Sequence, residues 1–264
     1  MTAIQFVRSD AARVGPHANV LVQSALAALA APSVFDSQPW RWRISDETAD
    51  LRADRTRQLA AVDPDGRLLT VSCGAALHHA RTALAAAGYG TEVAYLPDPD
   101  DADLLATIRL GRPVVADPQT QRLFRAMSLR ATDRRPFADQ PVPAQALIEL
   151  CAAAEAHGAH LYLAERPTTH VVLFTDGNDR VDWLASGEAL SAVLLAAAAH
   201  GLVATSPLSD LVAAPGSHLL LRDPPAGTGH PTMVIHVGLP SAGVPGPRCA
   251  EHSVDQPGAA RIIR

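Results

Sequence analysis

The sequence predicts a mixed α+β fold built from two tandem halves of similar design, spanning residues 1–116 and 117–264. Segments with helical apolar spacing alternate with strand-like segments along the whole chain, which indicates an α/β or α+β architecture. An Ala-rich helical pattern that opens G-x-A-L occurs twice, and a strand that closes I-x-x-G-x-P also occurs twice. We therefore expect two pseudo-symmetric halves that form one compact unit.

The first half contains a full set of such elements. The repeated helical pattern begins at Gly74 and ends at Gly88, and a glycine in that place is typical of a helix C-terminus. Apolar spacing predicts helix 19–30, strand 40–45, a strand near 49–53, helix 70–87, and strands near 92–96 and 105–110.

The second half repeats this order after a connecting helix from Asp117 to Arg130, since Asp117 with Pro118 is a typical N-cap and first-turn pair. Chance similarity between Ala-rich helices is the alternative, and the matching order of elements favours a true repeat. The tail after Gly238 is rich in Pro and Gly and is expected to run extended over the surface. The predicted elements are helix 143–157, strands 159–164 and 170–175, helix 185–200 and strand 232–238.

Composition restricts the possible partners and the compartment. The net charge of −5 and the absence of a basic stripe argue against nucleic acid. All 22 Lys+Arg positions are Arg, so a catalytic Lys is excluded. Cys73, Cys151 and Cys249 are far apart and form no C-x-x-C pair, which favours a reducing compartment. No apolar run of membrane length and no signal-peptide pattern is visible, so we expect a cytoplasmic protein without a membrane segment.

Motif spacing removes several classes of site. The histidines show no H-x-x-x-H or H-E-x-x-H spacing, and we expect no metal. The sequence also lacks the G-x-S-x-G elbow of many hydrolases, the G-x-G-x-x-G dinucleotide fingerprint and the P-loop.

The segment from Ala31 to Trp40 is the most informative one. A helical run ends there and an alternating strand begins, and between them stand Ser33, Gln38 and the Pro39-Trp40 pair. Exposed polar groups beside a flat apolar surface suit the rim of a planar, polar-edged ring system such as a flavin. The bulky Trp side chains are more often core than stacking platforms.

A second polar block opens the second half of the chain. Arg130, Thr132 and Arg134 lie within a few residues of one another and are followed by Phe137. Guanidinium forks with a short hydroxyl donor suit a phosphate group. A solvated charged turn is the alternative.

Both segments resemble motifs of the FMN-dependent nitroreductase family. Pro32 to Trp40 is similar to its P-S-x-x-N-x-Q-P-W motif, and the block at Arg130 is similar to its R-x-S-x-R-x-F opening, with one extra residue before Phe137. The resemblance implies that Ser33 and Gln38 bind the flavin ring. It also implies that Arg130, Thr132 and Arg134 bind the FMN phosphate.

The order of the motifs resembles the Acg-like branch of that superfamily, a single-chain pseudo-dimer. Ordinary family members carry both motifs in each subunit and bind FMN between two subunits. Here the ring motif lies in the first half and the phosphate motif in the second, where only the residues 156–160 stand at the place of a second ring motif. The resemblance implies one FMN per chain and a protein that is monomeric because the dimer is fused. The segments 63–67 and 72–77 also resemble this branch.

Two departures from the family bear on function. Asp36 stands where the family usually has Asn, and an ionised Asp can accept a hydrogen bond from the ring but cannot donate one. The lid insertion of the Acg-like branch is missing, because the strand at 159–164 leads almost directly into the strand at 170–175. We expect a more open ring site.

Two further segments complete the site that the resemblance implies. Residues 201–210 resemble the family's G-L-G-x-x-x-x-P segment, which lies beside the flavin N5 edge, although a generic loop after a helix is the alternative. The Pro247-Arg248 pair resembles the last phosphate contact. The additional cofactor-binding residues are Thr205, Ser206, Pro207, Leu208 and Arg248.

The leading hypothesis is an FMN-dependent NAD(P)H oxidoreductase of nitroreductase type, in which hydride passes through flavin N5 to a small nitro or quinone acceptor. The flavin carries the chemistry, so no catalytic side chain is required. The alternative is an FMN storage or sequestration protein with little turnover, which the resemblance to Acg-like proteins and Asp36 favour. A third hypothesis is a flavin-free scaffold.

Overall fold

The computed structural model describes residues 4–6, 16–129, 137–164, 169–205 and 229–241. These residues form two sheets and five α-helices, and each sheet takes its strands from one half of the sequence. The mixed α+β class predicted from the sequence is confirmed. The boundary between the halves at residues 116 and 117 falls between the last strand of the first sheet and the helix that follows it.

The first sheet has five strands in the order β1-β2-β3-β5-β4, with β1 parallel to β2 and all other neighbours antiparallel. Short 3-10 turns occupy Ala28–Ala30, Val34–Asp36 and Arg55–Arg57. The elements are β1 Ile4–Phe6, α1 Pro16–Ala27, β2 Trp40–Ile44, β3 Thr48–Ala53, α2 Arg67–Ala86, β4 Tyr89–Tyr95 and β5 Leu104–Pro113.

The second sheet has four strands in the order β6-β7-β9-β8, and all neighbours are antiparallel. Only residues 165–168 separate β6 from β7, as expected for a chain without the lid insertion. The elements are α3 Pro118–Leu129, α4 Ala144–Glu155, β6 Ala159–Ala164, β7 Thr169–Thr175, α5 Arg180–Ala199, β8 Val203–Thr205 and β9 His230–Gly238.

The two halves repeat one topology. The order β2-β3-β5-β4 in the first sheet corresponds to β6-β7-β9-β8 in the second, and α1 and α2 correspond to α4 and α5 in the chain order. The sequence did not predict β1 or β8, which are only three residues long each. It also placed the start of α5 too late, because Asp179 and Asp182 form a capping box ahead of the apolar run.

Helices α2 and α5 cross where the two copies of the repeat begin, at Gly74 and Gly187. A Cβ atom built on Gly74 would lie 3.0 Å from the Cα of Gly187, and one built on Gly187 would lie 2.8 Å from the Cα of Gly74. Each would overlap a backbone carbonyl even more closely, that of Leu184 or of Val71 respectively. Only glycine at both positions allows the two backbones to approach so closely.

The contacts around this crossing are reciprocal, as they are across a two-fold axis. Leu184 of α5 packs in the core of the first half, and Val71 of α2 packs in the core of the second half. At the start of each helix an arginine reaches the other half. Arg67 donates to the Pro231 carbonyl at 2.9 Å, and Arg180 donates to the Ala102 carbonyl.

A buried polar cluster lies one turn further along the two helices. His78 Nδ1 lies 2.7 Å from Ser191 Oγ, and the His157 ring packs edge-on against His78 with 4.7 Å between ring centroids. Beside them, the buried carboxylate of Glu188 accepts hydrogen bonds from Arg81 and from the Tyr95 hydroxyl. Burial lowers the pKa of His78 well below its usual value, and the neighbouring His157 lowers it further.

Among the described residues, one helix, α5, is long and apolar enough to cross a membrane, judged by length and composition alone. This corrects the expectation that no segment reaches that length. In the folded protein 72% of this stretch is buried, because α5 packs between α2, α3 and α4. A core helix passes the same test of length and composition.

We predict that Gly74→Ala and Gly187→Ala each lower the free energy of unfolding by about 1–3 kcal/mol, because the new methyl group forces the helix backbones apart. Urea denaturation followed by circular dichroism measures the change. A suitable control is Gly158→Asn, since Gly158 has a φ of 71° with nothing near its Cβ position, and Asn tolerates that backbone. An unchanged midpoint for both helix variants would contradict the close crossing.

The His78 environment makes the protein less stable in acid. An unfolded His binds a proton below a pKa of 6.5, whereas the buried His78 does not, so the free energy of unfolding falls as the pH drops below that value. The loss is up to about 1.4 kcal/mol per pH unit for this group. Denaturant titrations between about pH 8 and about pH 5 should therefore show a shallower pH dependence for His78→Gln than for the wild type. Equal slopes would argue against this origin.

Candidate functional site

Residues 31–39 connect α1 to β2 and form what we call the ring loop. A hydrogen bond joins the loop to α2. Ser72 Oγ accepts it from the Val34 amide at 3.1 Å and itself donates to the Leu68 carbonyl of its own helix. The loop is also closed on itself, because the Gln38 amide donates to Ser33 Oγ at 3.0 Å. These bonds fix both ends of the S-x-x-x-x-Q stretch.

Further bonds hold the C-terminal part of the loop. The Gln38 side chain donates through Nε2 to the Leu29 carbonyl at 3.1 Å, and Arg57 donates to the Ser37 carbonyl at 3.1 Å. The Pro39 carbonyl accepts from the Asp54 amide at 3.0 Å and from the Cys73 thiol at 3.4 Å. The loop therefore has little freedom relative to the first sheet and α2.

The ring loop carries most of the backbone strain found in the described residues. Four non-glycine residues have a positive φ, and three of them are Phe35 at 48°, Asp36 at 55° and Gln38 at 45°. Such conformations are unfavourable for side chains other than Asn and Asp and persist only when the surroundings over-determine them. The hydrogen bonds with Ser72 and Arg57 hold the loop backbone in this conformation. Strain of this kind is concentrated at ligand-binding sites in proteins.

The start of α2 lies beside the loop. The buried carboxylate of Asp63 accepts hydrogen bonds from the amides of Leu68 and Leu69, at 2.9 and 2.8 Å, and so caps the helix. The space between this turn and the loop is a cavity of about 10 Å³, enough for one water molecule but not for a ring system. Its lining residues are Val34, Ser37, Pro39, Arg57, Gln58, Leu59, Asp63 and Leu69.

The charges beneath the loop are paired. Arg41 binds Asp54 through two hydrogen bonds of 2.8 and 3.0 Å, and Arg57 lies 3.5 Å from the same carboxylate. Burial opposes ionisation of Asp54, but hydrogen bonds from Thr56 and the Arg41 guanidinium outweigh it and lower the pKa. Burial raises the pKa of the Cys73 thiol, so this cysteine is a structural donor to the loop and no reactive thiolate.

Three of the site residues expected from the sequence lie in the ring loop. Ser33 and Gln38 are half-buried, and Asp36 is exposed. The Ser33 oxygen accepts a hydrogen bond from the Gln38 amide, and among the described residues its hydroxyl meets no acceptor, so it can still donate one. Asp36 presents its carboxylate to solvent.

The other expected site residues lie at or beyond the edge of the described ranges. Thr205 ends β8, where it pairs with His236. The phosphate block begins immediately after Leu129, the end of α3, and is followed by Phe137, which packs against Gly238 at the end of β9. The residues outside the described ranges are Arg130, Thr132, Arg134, Ser206, Pro207, Leu208 and Arg248, and their meeting with the ring loop remains a prediction.

In the described connection between α4 and β6, the second half has no counterpart of the ring loop. The chain passes from α4 to β6 through the turn 156–158, where the first half uses the residues between Ala30 and Trp40. His157 of this turn packs against His78. Among the described residues, the repeated fold therefore carries the ring loop once, in the first half.

A larger surface groove of about 450 Å³ lies elsewhere, on α4, lined by Ala144, Leu147, Ile148, Cys151, Ala152 and Glu155. Its lining includes no residue of the ring loop. Within the described ranges, no group of three or more His, Cys, Asp or Glu side chains could hold a metal ion.

Arg57 and Asp63 contribute to the site although neither was predicted to. Asp63 had a sequence signal, because it opens one of the segments that resemble the Acg-like branch. Arg57 had none, since its role depends on a turn between β3 and α2 that brings it under the loop.

We predict that Ser72→Ala loosens the ring loop and lowers the free energy of unfolding by about 1–3 kcal/mol, because the buried Val34 amide loses its partner. Denaturation midpoints and hydrogen exchange of the Val34 amide measure the effect. The matched control is Thr70→Ala, an equally buried residue of α2 whose hydroxyl bonds only the Gly66 carbonyl of the turn before it. Equal Val34 protection in both variants would contradict the anchoring role.

No family model matches the chain. Among curated proteins, one from Mycobacterium tuberculosis named "Putative NAD(P)H nitroreductase Rv3131" is 42% identical over 134 residues, which are 51% of this chain and 39% of that protein. Another, named "Putative NAD(P)H nitroreductase acg", is 40% identical over 123 residues, 47% of this chain and 37% of that protein. The match thus spans about half of this chain and well under half of the relatives.

A solved structure from Parabacteroides distasonis ATCC 8503, titled as a putative NADH dehydrogenase/NAD(P)H nitroreductase, has a TM-score of 0.37 and 19% identity to this chain. It covers 51% of this chain and 95% of its own, and a likeness at this level establishes no common fold. The curated relatives are much more similar in sequence. Through about half of its length the chain is related to mycobacterial proteins named as NAD(P)H nitroreductases, Acg among them, and its resemblance to the Acg-like branch of the nitroreductase superfamily is thereby confirmed.

Proposed function

We propose that the chain is an FMN-dependent NAD(P)H oxidoreductase of nitroreductase type. The main support for the proposal is the ring loop. Its hydrogen bonds hold a strained backbone in place, and it presents the Ser33 hydroxyl and Gln38 in the order of the flavin-ring motif. The curated relatives that carry the name NAD(P)H nitroreductase support the same class of reaction.

The donors of the ring loop fit the polar edge of a flavin. The Ser33 hydroxyl can donate to a ring carbonyl while its oxygen keeps the bond from the Gln38 amide. Because the cavity under the loop holds only about 10 Å³, a ring system would lie on the outer side of the loop. Arg130, Thr132 and Arg134 would bind the FMN phosphate, with Arg248 as a further contact. Thr205, Ser206, Pro207 and Leu208 would border the ring.

When bound, FMN would supply the redox chemistry, hydride transfer through N5 from NAD(P)H to a nitro or quinone acceptor, with one further proton taken from solvent. The protein binds and orients. The residues around the ring loop suit this division, since Cys73 is a buried neutral thiol and Asp54 is paired with Arg41. Nothing in this arrangement requires a nucleophilic side chain.

The asymmetry of the two halves supports one FMN per chain in a fused pseudo-dimer. Within the ranges that the structure describes, only the first half carries a ring loop, and the reciprocal contacts of α2 and α5 join the halves as an interface between subunits would. We propose that the chain acts as a monomer in the cytoplasm on a small-molecule acceptor, without nucleic acid or membrane partners.

A second candidate function is the binding of FMN for storage with little turnover. Asp36 favours it, because an exposed carboxylate in the ring loop would repel a reduced, anionic flavin and disfavour the reductive half of a catalytic cycle.

The decisive experiment is an absorbance spectrum of the purified protein, followed by titration with FMN and by NADH and NADPH oxidation assays with a nitro compound and a quinone. Bound FMN with acceptor-dependent oxidation supports the oxidoreductase. Bound FMN without oxidation supports storage. A colourless protein that quenches no FMN fluorescence refutes both.

We predict that Asp36→Asn lowers the dissociation constant for FMN by about three- to tenfold, since an amide adds one donor toward a ring carbonyl and removes a negative charge. Fluorescence quenching of FMN measures the affinity. Asp46→Asn is the matched control, an exposed Asp in the turn between β2 and β3. If both substitutions leave the affinity unchanged, Asp36 does not face the flavin.

A further inference from the structure

Phe35 is a large aromatic residue on a strained part of the backbone in the ring loop. Its φ of 48° and ψ of 30° place it in the left-handed region, where a bulky residue is a genuine outlier. Asn or Gly would hold the same turn with less strain. The turn alone therefore gives no reason for a phenylalanine.

Packing gives no reason for it either. The Phe35 side chain is 63% exposed, whereas its neighbour Val34 is 3% exposed and belongs to the core of the second half. An exposed aromatic ring in a strained backbone contributes little to folding. Both its conformation and its position count against stability, which points to a role in binding.

The loop beneath Phe35 is rigid and closed. Ser72 and Arg57 hold it from the inner side, and the cavity there has no room for a ring. Ser33 and Gln38, which the motif assigns to the cofactor, are half-buried, while Phe35 stands at the solvent side between them in the chain. A ligand that arrives from solvent would meet Phe35 at the outer edge of the site.

We propose that Phe35 is a specificity-determining residue that contacts the aromatic ring of the acceptor and so makes the protein select planar aromatic acceptors over non-aromatic ones. This inference rests on the proposed function, because it takes the ring loop as the flavin site. Contacts between aromatic rings add to affinity beyond the apolar area that they bury, and a rigid loop loses little entropy when it makes them.

The test compares the wild type with Phe35→Leu, which keeps an apolar side chain but removes the ring, in the FMN-loaded protein. We expect the KM for 1,4-naphthoquinone, a quinone with a fused benzene ring, to rise about three- to tenfold. The KM for ferricyanide, a non-aromatic oxidant, should not change. Binding of benzoate, an aromatic compound that is not reduced, should weaken by a similar factor when followed by the perturbation of the flavin absorbance spectrum.

Two further variants make the outcome decisive. Phe124→Leu replaces another exposed Phe, 40% exposed on α3, and should leave all three quantities unchanged. Phe35→Asn should weaken aromatic acceptors as Phe35→Leu does while raising the melting temperature by a few degrees, because Asn tolerates the left-handed backbone.

The inference is overturned if Phe35→Leu leaves quinone and benzoate affinity unchanged. It is also overturned if this variant weakens only FMN, since the contacted ring would then be that of the cofactor. If the proposed function is wrong, the wild type itself would bind no FMN, and this result is distinguishable from both outcomes above.

Discussion

The close approach of the α2 and α5 backbones at Gly74 and Gly187 sets the arrangement of the whole molecule. With no side chain at either position, the helices are near enough for Leu184 to enter the core of the first half and for Val71 to enter that of the second. Each core is thus completed by a residue from the other half. Separating the halves would open both cores to water, so the two halves are expected to unfold together rather than in sequence.

The same crossing positions the candidate site. The part of α2 on the N-terminal side of Gly74 carries Ser72 and Cys73, which hold the ring loop, and begins at Arg67, which bonds β9 of the second half. The loop is therefore fixed relative to both sheets through one helix. Phe137, the residue that follows the phosphate block, packs on the end of β9. Arg67 of α2 bonds the same strand, so both residues contact β9.

Local sequence patterns predicted the elements well because helix and strand periodicity is set by which residues face the core, and here the cores are apolar and continuous. They missed β1 and β8, since three residues are too few for a period to be visible. The two glycines were recognised as the start of a repeat but not as a helix crossing. Sequence alone does not tell which residue faces another backbone.

The ring loop shows the same limit in the candidate site. Its motif predicted Ser33, Asp36 and Gln38 as site residues, and the structure brings these together in one short loop. The positive φ angles of Phe35, Asp36 and Gln38 were not predictable, because they are imposed by Ser72 and Arg57, which lie far away in the sequence. A resemblance to a motif indicates which side chains can donate hydrogen bonds to the flavin ring. The backbone conformation of these residues depends on tertiary contacts that the motif does not contain.

The departure from symmetry at the ends of the fold explains how such a scaffold can specialise. The reciprocal contacts lie at the crossing of α2 and α5, and Ser72 and Cys73 of the same stretch of α2 hold the ring loop. The equivalent connection in the second half is the short turn 156–158, and His157 of that turn packs on His78. Because Phe35 is exposed and belongs to neither core, the strain of its backbone disturbs no core packing. The remaining loop is thus free to vary in its exposed residues, Phe35 and Asp36, while Ser72 and Arg57 keep its frame.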